Sequence, residues 1–307
     1  MTMFGVMQFE QLPKFFQSAT QSMRDAALGA ALTGGGPLAC LSLRQRQFRS
    51  EALHDVLPGR HVLISGASSG IGRAVALQVA EAGATAVIVA RSDDKLRELK
   101  REIERSGGRA FAYSADLSSP ESTQSLLEQL ARDGVQIDVL INNAGRSIRR
   151  PVHESYERVH DYERTMALNY FGSLRLILGV LPGMRARKQG HIINVSSAGA
   201  QLGTPLFAAY IASKAALDAF TRVAAGESRE DGVRFTTVYM PLVRTPMIEP
   251  TEAYRDVSAL SPDEAASLVL RALVTGEKQL GTSLGQLVQL GYLLAPEMIE
   301  RVINFGH

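Results

Sequence analysis

Ser197, Tyr210 and Lys214 are the residues of this 307-residue chain whose types and spacing carry the clearest chemistry. Tyr210 and Lys214 stand four positions apart, so on a helix they share one face. An ammonium beside a phenol favours phenolate and lowers its pKa from about 10 toward the working range of an acid or base. Of the eight tyrosines, Tyr210 is the one with a lysine at this offset. Ser197 ends an apolar run, from where its hydroxyl can face the same point and hydrogen-bond a developing oxyanion. Asn169 falls in the middle of a helical pattern although asparagine is a mediocre helix former; a functional role or a plain core hydrogen bond would each account for it.

A second constellation precedes these. Ser65-Gly66-Ala67-Ser68-Ser69-Gly70-Ile71-Gly72 follows an apolar run and opens a helical one. Glycines there let the backbone turn sharply and approach a ligand, and the following helix N-terminus offers N–H groups to a pyrophosphate. The strand–turn–helix context is what makes the pattern informative. The end of the next apolar run chooses the dinucleotide. An acid there would accept from the ribose 2′-hydroxyl of NAD, whereas an arginine accommodates the extra phosphate of NADP. The positions are Ala90, Arg91 and Ser92. Arg73, in the first helical turn, is also a cation that needs an anion nearby. The expected cofactor is NADP(H).

The elements that must position these groups alternate strictly. Strands are expected at 61–65, 85–90, 109–114, 137–141, 191–195 and 233–239. Helices are expected at about 71–82, 93–105, 120–132, 157–180, 209–229 and 262–273, with Pro120 starting one where its missing N–H does no harm. Continuous apolar strands alternating with helices mean an α/β architecture, a doubly wound parallel sheet covered on both faces. The division expected is an N-terminal extension over 1–57, the sheet domain over 58–283 and an apolar helical tail over 284–307. That tail, with Leu287, Leu290, Leu293, Leu294, Met298 and Ile299, would be a core-covering helix pair or an oily rim for a substrate.

Composition bounds the function class. Hydrophobic residues make 45% and charged residues 21% of the chain, an ordinary globular balance. Lysine and arginine number 33 against 31 acids, a net charge of +2, too balanced for a bulk nucleic-acid binder. The single cysteine, Cys40, excludes an internal disulfide and fits a reducing, cytoplasmic compartment. Ala26–Leu43 carries no charge, but Gly34-Gly35-Gly36-Pro37 would break a spanning helix in its middle. The preceding Phe4, Met7, Phe15, Phe16 and Met23 fit a peripheral membrane helix or an arm packed on this or a second subunit. His153 and His160, with Glu154 and Asp161, do not make a metal case, and no metal is expected.

In family order, the chain carries Gly66-x-x-x-Gly70-Ile71-Gly72, Asp116-Leu117, Asn142-Asn143-Ala144-Gly145, Asn169, Ser197 and Tyr210-x-x-x-Lys214. Over about residues 58–275 it resembles the short-chain dehydrogenase/reductase family. The resemblance implies a Rossmann fold with strand order 3-2-1-4-5-6-7 and a homo-oligomer. It implies Tyr210 as proton donor, with Lys214 lowering its pKa and binding the nicotinamide ribose. Ser197 would steady the substrate, and Asn169 would anchor a proton path. Asp116 and Leu117 would flank the adenine, with Asn143, Ala144 and Gly145 beside the cofactor. The family's usual Pro-Gly-x-Val-x-Thr stands here as Met240-Pro241-Leu242-Val243-Arg244-Thr245, with Val243 and Thr245 able to contact the nicotinamide amide.

Three stretches, Asn142–Ser155, Glu163–Gly172 and Met240–Ile248, are similar to bacterial long-chain fatty acyl-CoA reductases of this type, and the chain stops earlier than those relatives, as a shortened form or a fragment. They imply a lipophilic small-molecule substrate, an acyl-CoA thioester. Arg146, Arg149 and Arg150 could then clamp CoA phosphates, or form a solvated basic loop. The same site would also suit a carbonyl reductase or alcohol dehydrogenase for lipophilic ketones, aldehydes or hydroxysteroids. A non-catalytic NADP-binding scaffold is the third reading.

Overall fold

In the computed structural model, which describes residues 51–303, α1 (Glu51–Val56) leads into β1 (His61–Ser65), α2 (Gly70–Glu81), β2 (Thr85–Ala90), α3 (Asp93–Arg105), β3 (Arg109–Ser114), α4 (Pro120–Arg132) and β4 (Val139–Asn142). Then come α5 (Val159–Met166), a π-helical turn (Ala167–Gly172), α6 (Ser173–Ala186), β5 (Gly190–Ser197), α7 (Ala198–Leu202), α8 (Ala208–Glu227), β6 (Val233–Met240), α9 (Pro262–Thr275), β7 (Gln279–Leu280), α10 (Ser283–Leu294) and α11 (Pro296–Ile303). The strands form one parallel sheet in the order β3-β2-β1-β4-β5-β6-β7, the doubly wound Rossmann arrangement.

The apolar runs form strands because both faces of the sheet are covered. Every residue of β2 is buried, whereas the edge strand β3 alternates exposed and buried positions. One core, with Ile64, Val75, Ile88, Leu96 and Val269, fills the side toward α2, α3 and α9. The other, with Leu63, Leu126, Leu140, Leu176, Ile177 and Phe235, fills the side toward α4, α6 and α8. Helix starts are capped by the residues expected to do so. Ser119 Oγ accepts from the Ser122 N–H with Pro120 at the first turn, and Ser261 and Glu264 close a reciprocal capping box around Pro262.

Four differences from the sequence reading have physical causes. The helix expected over 157–180 is interrupted by the π-helical turn, which is tied by Asn169 hydrogen bonds described below, and the segment runs on to Ala186 through Pro182. The fourth strand starts two residues late because Asp138 turns its carboxylate to accept from the His61 N–H at 2.9 Å. A seventh strand of two residues joins the edge, too short to leave a periodicity. The tail is a helix pair whose first member packs on α7, where Gln201 donates to Gln289, while Leu287, Leu290, Leu293 and Leu294 stay exposed. Leu53 and Leu57 are buried in the first core, so α1 is packed on the domain. Residues 1–50, with Ala26–Leu43 and Cys40, lie outside the described residues. No helix among the described residues is long and apolar enough to cross a membrane.

One buried ionisable group sets an acid limit on the fold. His191 on β5 is 1% exposed, and its Nε2 lies 2.9 Å from Thr236 Oγ1. Thr236 donates its own proton to the Glu277 carbonyl, so Nε2 is the donor and Nδ1 is left without a partner. Burial, then the nearby Arg234 and Arg60, push the imidazole down to about 3. An unfolded histidine titrates near 6.5. Between these values the unfolded chain holds the extra proton, so stability is complete above about pH 6.5 and falls by about 1.4 kcal/mol per pH unit below it. Thermal melts of His191→Gln are expected to show a flatter decline than the parent between pH 6.5 and 4; parallel profiles would refute the assignment.

Candidate active site

The loops at the carboxyl ends of β1, β2, β4, β5 and β6 open onto one cavity of about 580 Å³. In such sheets this crevice is where ligands bind. Its floor is stitched by β1 and β4. Ser65 Oγ accepts the N–H groups of Asn143 and Ala144, both at 3.0 Å, and Asn143 Nδ2 donates to the Ser65 carbonyl at 3.1 Å. Gly66 has φ +68, and a Cβ on it would stand 2.8 Å from Ala144 Cα, so only glycine passes there. Asn142 donates to Asn194, and Asn194 to Thr221 of α8, each at 2.8 Å. This buried amide relay fixes β4, β5 and the helix of Tyr210 relative to one another.

Of the residues expected to hold a cofactor, Gly66, Ser68, Ser69, Gly70, Ile71, Arg91, Asp116, Leu117, Asn143, Ala144, Gly145, Tyr210, Lys214, Val243 and Thr245 line this cavity. Gly72 and Ser92 do not. Gly72 is a packing glycine, whose Cβ would meet the Gly66 carbonyl oxygen at 2.4 Å; Ser92 stands at the N-cap of α3. The cavity fits a dinucleotide. The N-terminus of α2 has no side-chain cap and no acid in its first turn, which leaves its N–H groups open to an anion. Arg73 needs a correction: its anion is Glu102 of α3, with which it forms an ion pair, and so it is no pointer to the cofactor.

Asp116 accepts from the Ser118 hydroxyl at 2.6 Å and from its N–H at 2.9 Å. Those bonds hold its carboxyl below the usual range despite partial burial, with Arg91 and Arg146 helping. Arg146 is shifted downward by partial burial and by its neighbours Arg164 and Arg91. Arg146 therefore sits with Arg91 and Asp116, away from the expected acyl side. Arg150 is also taken: its guanidinium pairs with Asp161 at 3.2 Å and Glu154 at 3.9 Å. Arg149 is exposed and adjoins Tyr254. None of the three lines the cavity, so they do not act as one clamp.

Ser197, Tyr210 and Lys214 meet on the cavity wall. Ser197 Oγ accepts from the Gly199 N–H at 3.1 Å and hydrogen-bonds the Tyr210 phenol. Lys214 Nζ lies 5.9 Å from the Tyr210 ring centre and donates to the Val195 carbonyl at 2.7 Å. The expected acidified phenol is not what these surroundings produce. Burial raises the Tyr210 pKa, the Ser197 bond opposes it, and Tyr254 adds to the rise. Burial in turn lowers Lys214 to about 8. The lysine is committed to the strand carbonyl, so its charge does not govern the phenol. Asn169 is buried under the loop. It donates to the Arg146 carbonyl and to Ser213 Oγ, both at 2.9 Å, and accepts the Arg146 N–H at 2.8 Å. All three of its bonds are made inside the protein, and they require the π-helical turn, a frequent feature of functional sites.

The sequence reading did not anticipate Leu202, Phe207, Ile211, Met247, Tyr254 and Val257, which make the other half of the cavity apolar. Their signal was faint, because they come from the α7–α8 connection and the irregular stretch after β6. Among the described residues no group of three or more His, Cys, Asp or Glu is placed to hold a metal ion.

The family model for short chain dehydrogenases matches residues 60–256. A fatty acyl-CoA reductase of Acinetobacter baylyi is 48% identical over 248 residues, covering 81% of this chain and 84% of that protein. A 3-ketodihydrosphingosine reductase of Bos taurus is 30% identical over 271 residues, covering 81% of each. The solved structure of a 3-oxoacyl (acyl-carrier-protein) reductase from Agrobacterium tumefaciens with NADP bound superposes with a TM-score of 0.66 at 26% identity, covering 78% of this chain and 98% of that one.

Proposed function

The chain belongs to the short-chain dehydrogenase family, an NADP(H)-dependent oxidoreductase, and we propose that it reduces long-chain fatty acyl-CoA thioesters to aldehydes. The observation that carries the substrate is the 48% identity to a fatty acyl-CoA reductase over most of both chains. The apolar half of the cavity supports it, since a long acyl chain needs such a lining.

The balanced reaction is acyl-CoA, NADPH and a proton giving aldehyde, NADP+ and free CoA thiol. When bound, the reduced nicotinamide supplies the hydride. The α2 N-terminus and the Gly66–Ile71 turn would hold the pyrophosphate, and Arg91 the 2′-phosphate. The hydroxyls of Tyr210 and Ser197 would donate to the oxyanion that forms on the carbonyl carbon, where preorganised donors are worth most. A phenol held protonated by burial is a donor across the neutral range, which suits this task. Thiolate is a good leaving group, so collapse needs little further acid. Lys214 would hold the Val195 carbonyl and present its charge to the nicotinamide ribose, and Asn169 would fix the Arg146 backbone beside it.

A second reading, reduction of a lipophilic ketone or aldehyde, is favoured by the sphingosine-type relative. One assay separates them. NADPH oxidation is followed with palmitoyl-CoA, hexadecanal and a long-chain ketone, with released thiol titrated in parallel. The expected result is one thiol per NADPH from the thioester. Oxidation with the ketone and none with the thioester would replace the first reading by the second.

A further inference from the structure

Two segments that the motifs leave aside converge over Tyr210. Phe207 stands at the N-terminus of α8, three residues before it. The residue before Phe207, Leu206, has φ +72, a backbone region that side chains other than glycine rarely adopt. The turn is held by the Leu206 carbonyl, which accepts the Arg150 N–H at 2.6 Å. A strained leucine held in this way marks a place where the direction of the next side chain matters.

The opposing segment is the loop after β6. It returns to its own base: Val243 bridges Leu260, and the Arg244 N–H donates to the Leu260 carbonyl at 2.8 Å. The Arg244 guanidinium then gathers three carbonyls, those of Tyr254 at 3.0 Å, Arg255 at 3.3 Å and Val257 at 2.7 Å. This staple holds the short turn Glu252–Tyr254 over the cavity. The Tyr254 ring meets the Phe207 ring with 6.3 Å between centres and only 11° between planes. Both rings line the cavity, and Tyr254 is near enough to Tyr210 and to Arg149 for each pair to interact electrostatically.

We propose that Phe207 and Tyr254 are specificity-determining residues, two nearly parallel rings that wall a flat slot beside Tyr210 and favour an unbranched carbon chain over a branched or polycyclic one. A polymethylene chain can lie along flat ring faces, whereas a branched skeleton needs one ring to move. This rests on the reductase reading above but holds for a thioester or a free carbonyl alike.

The test measures kcat/KM for straight and branched partners in each chemistry: hexadecanal against a 2-methyl-branched aldehyde, and palmitoyl-CoA against a 2-methyl-branched acyl-CoA. NADPH binding, followed by fluorescence, shows that each variant is folded. Tyr254→Ala and Phe207→Ala are expected to raise the branched-to-straight ratio roughly tenfold, the scale of hydrophobic-pocket discrimination. Tyr254→Phe keeps the ring and is expected to keep the parent ratio. If either alanine variant fails to bind NADPH, the other decides. A ratio that stays within about twofold of the parent in a folded alanine variant overturns the slot. A parent that reduces the aldehydes but releases no thiol refutes the acyl-CoA reading and leaves the ratio to be read on the aldehyde pair. A parent inert to all four overturns both.

Discussion

Tyr210→Phe is expected to lower turnover by about 10²- to 10⁴-fold while NADPH binds as before. The substitution removes one oxygen. The ring that stands 5.9 Å from the Lys214 ammonium remains, and so does the packing of α8. What is lost is the donor that faces the reacting carbonyl together with Ser197. Ser197 alone is a poor substitute, because its oxygen also accepts from the Gly199 N–H and its geometry is set by that bond. The loss should appear in kcat, with KM little changed, since an oxyanion donor acts mainly in the transition state. Single-turnover NADPH oxidation together with a cofactor titration separates the two effects. Turnover within about tenfold of the parent would remove Tyr210 from the chemistry. The pH profile gives a second check. The phenol is raised by burial and stays protonated, whereas Lys214 titrates at about 8. Activity should therefore decline above about pH 8 as the lysine loses its charge, and it should not rise there as it would if phenolate were the active form.

The parts of this site that the sequence made readable are those governed by local rules. Apolar runs without alternation mark strands covered on both faces, and β2 is buried along its whole length. The four-residue spacing of Tyr210 and Lys214 is a property of one helix. The glycine turn is a property of one loop. What was hidden depends on partners distant in sequence. Arg150 looks free until Asp161, eleven positions on, is folded against it. Arg73 seems to call for a phosphate until Glu102 of the next helix arrives. The π-helical turn exists because Asn169 reaches a backbone 23 residues back. The acidity of the phenol was misjudged for the same reason. Spacing puts Lys214 near Tyr210, but the Val195 carbonyl, 19 positions before the lysine, claims the ammonium, and enclosure by the fold outweighs its field.

Cofactor choice should rest on a single exposed guanidinium. Arg91 follows Ala90 at the end of β2 and lines the cavity, and its backbone is fixed by Ser114, whose hydroxyl donates to the Arg91 carbonyl at 3.1 Å. No acid stands at positions 90–92 to accept from a free 2′-hydroxyl. A charge-assisted bond to a phosphate contributes about 1.5–3 kcal/mol, and every 1.4 kcal/mol is tenfold in affinity. Arg91→Ala is therefore expected to weaken NADPH by about 10- to 100-fold and NADH hardly at all. Arg91→Asp goes further, since the new carboxylate repels the 2′-phosphate and can accept from the 2′-hydroxyl, so preference should pass to NADH. The neighbouring Arg146, grouped with Arg91 and Asp116, leaves some positive field behind, which sets a floor to the loss in the alanine variant. Because Arg91 is exposed, the NADPH advantage of the parent should shrink as salt is raised, and that of Arg91→Ala should respond less. Isothermal titration with both dinucleotides at two salt concentrations reads all of this. Equal weakening of NADPH and NADH would mean that Arg91 supports the loop and does not read the phosphate.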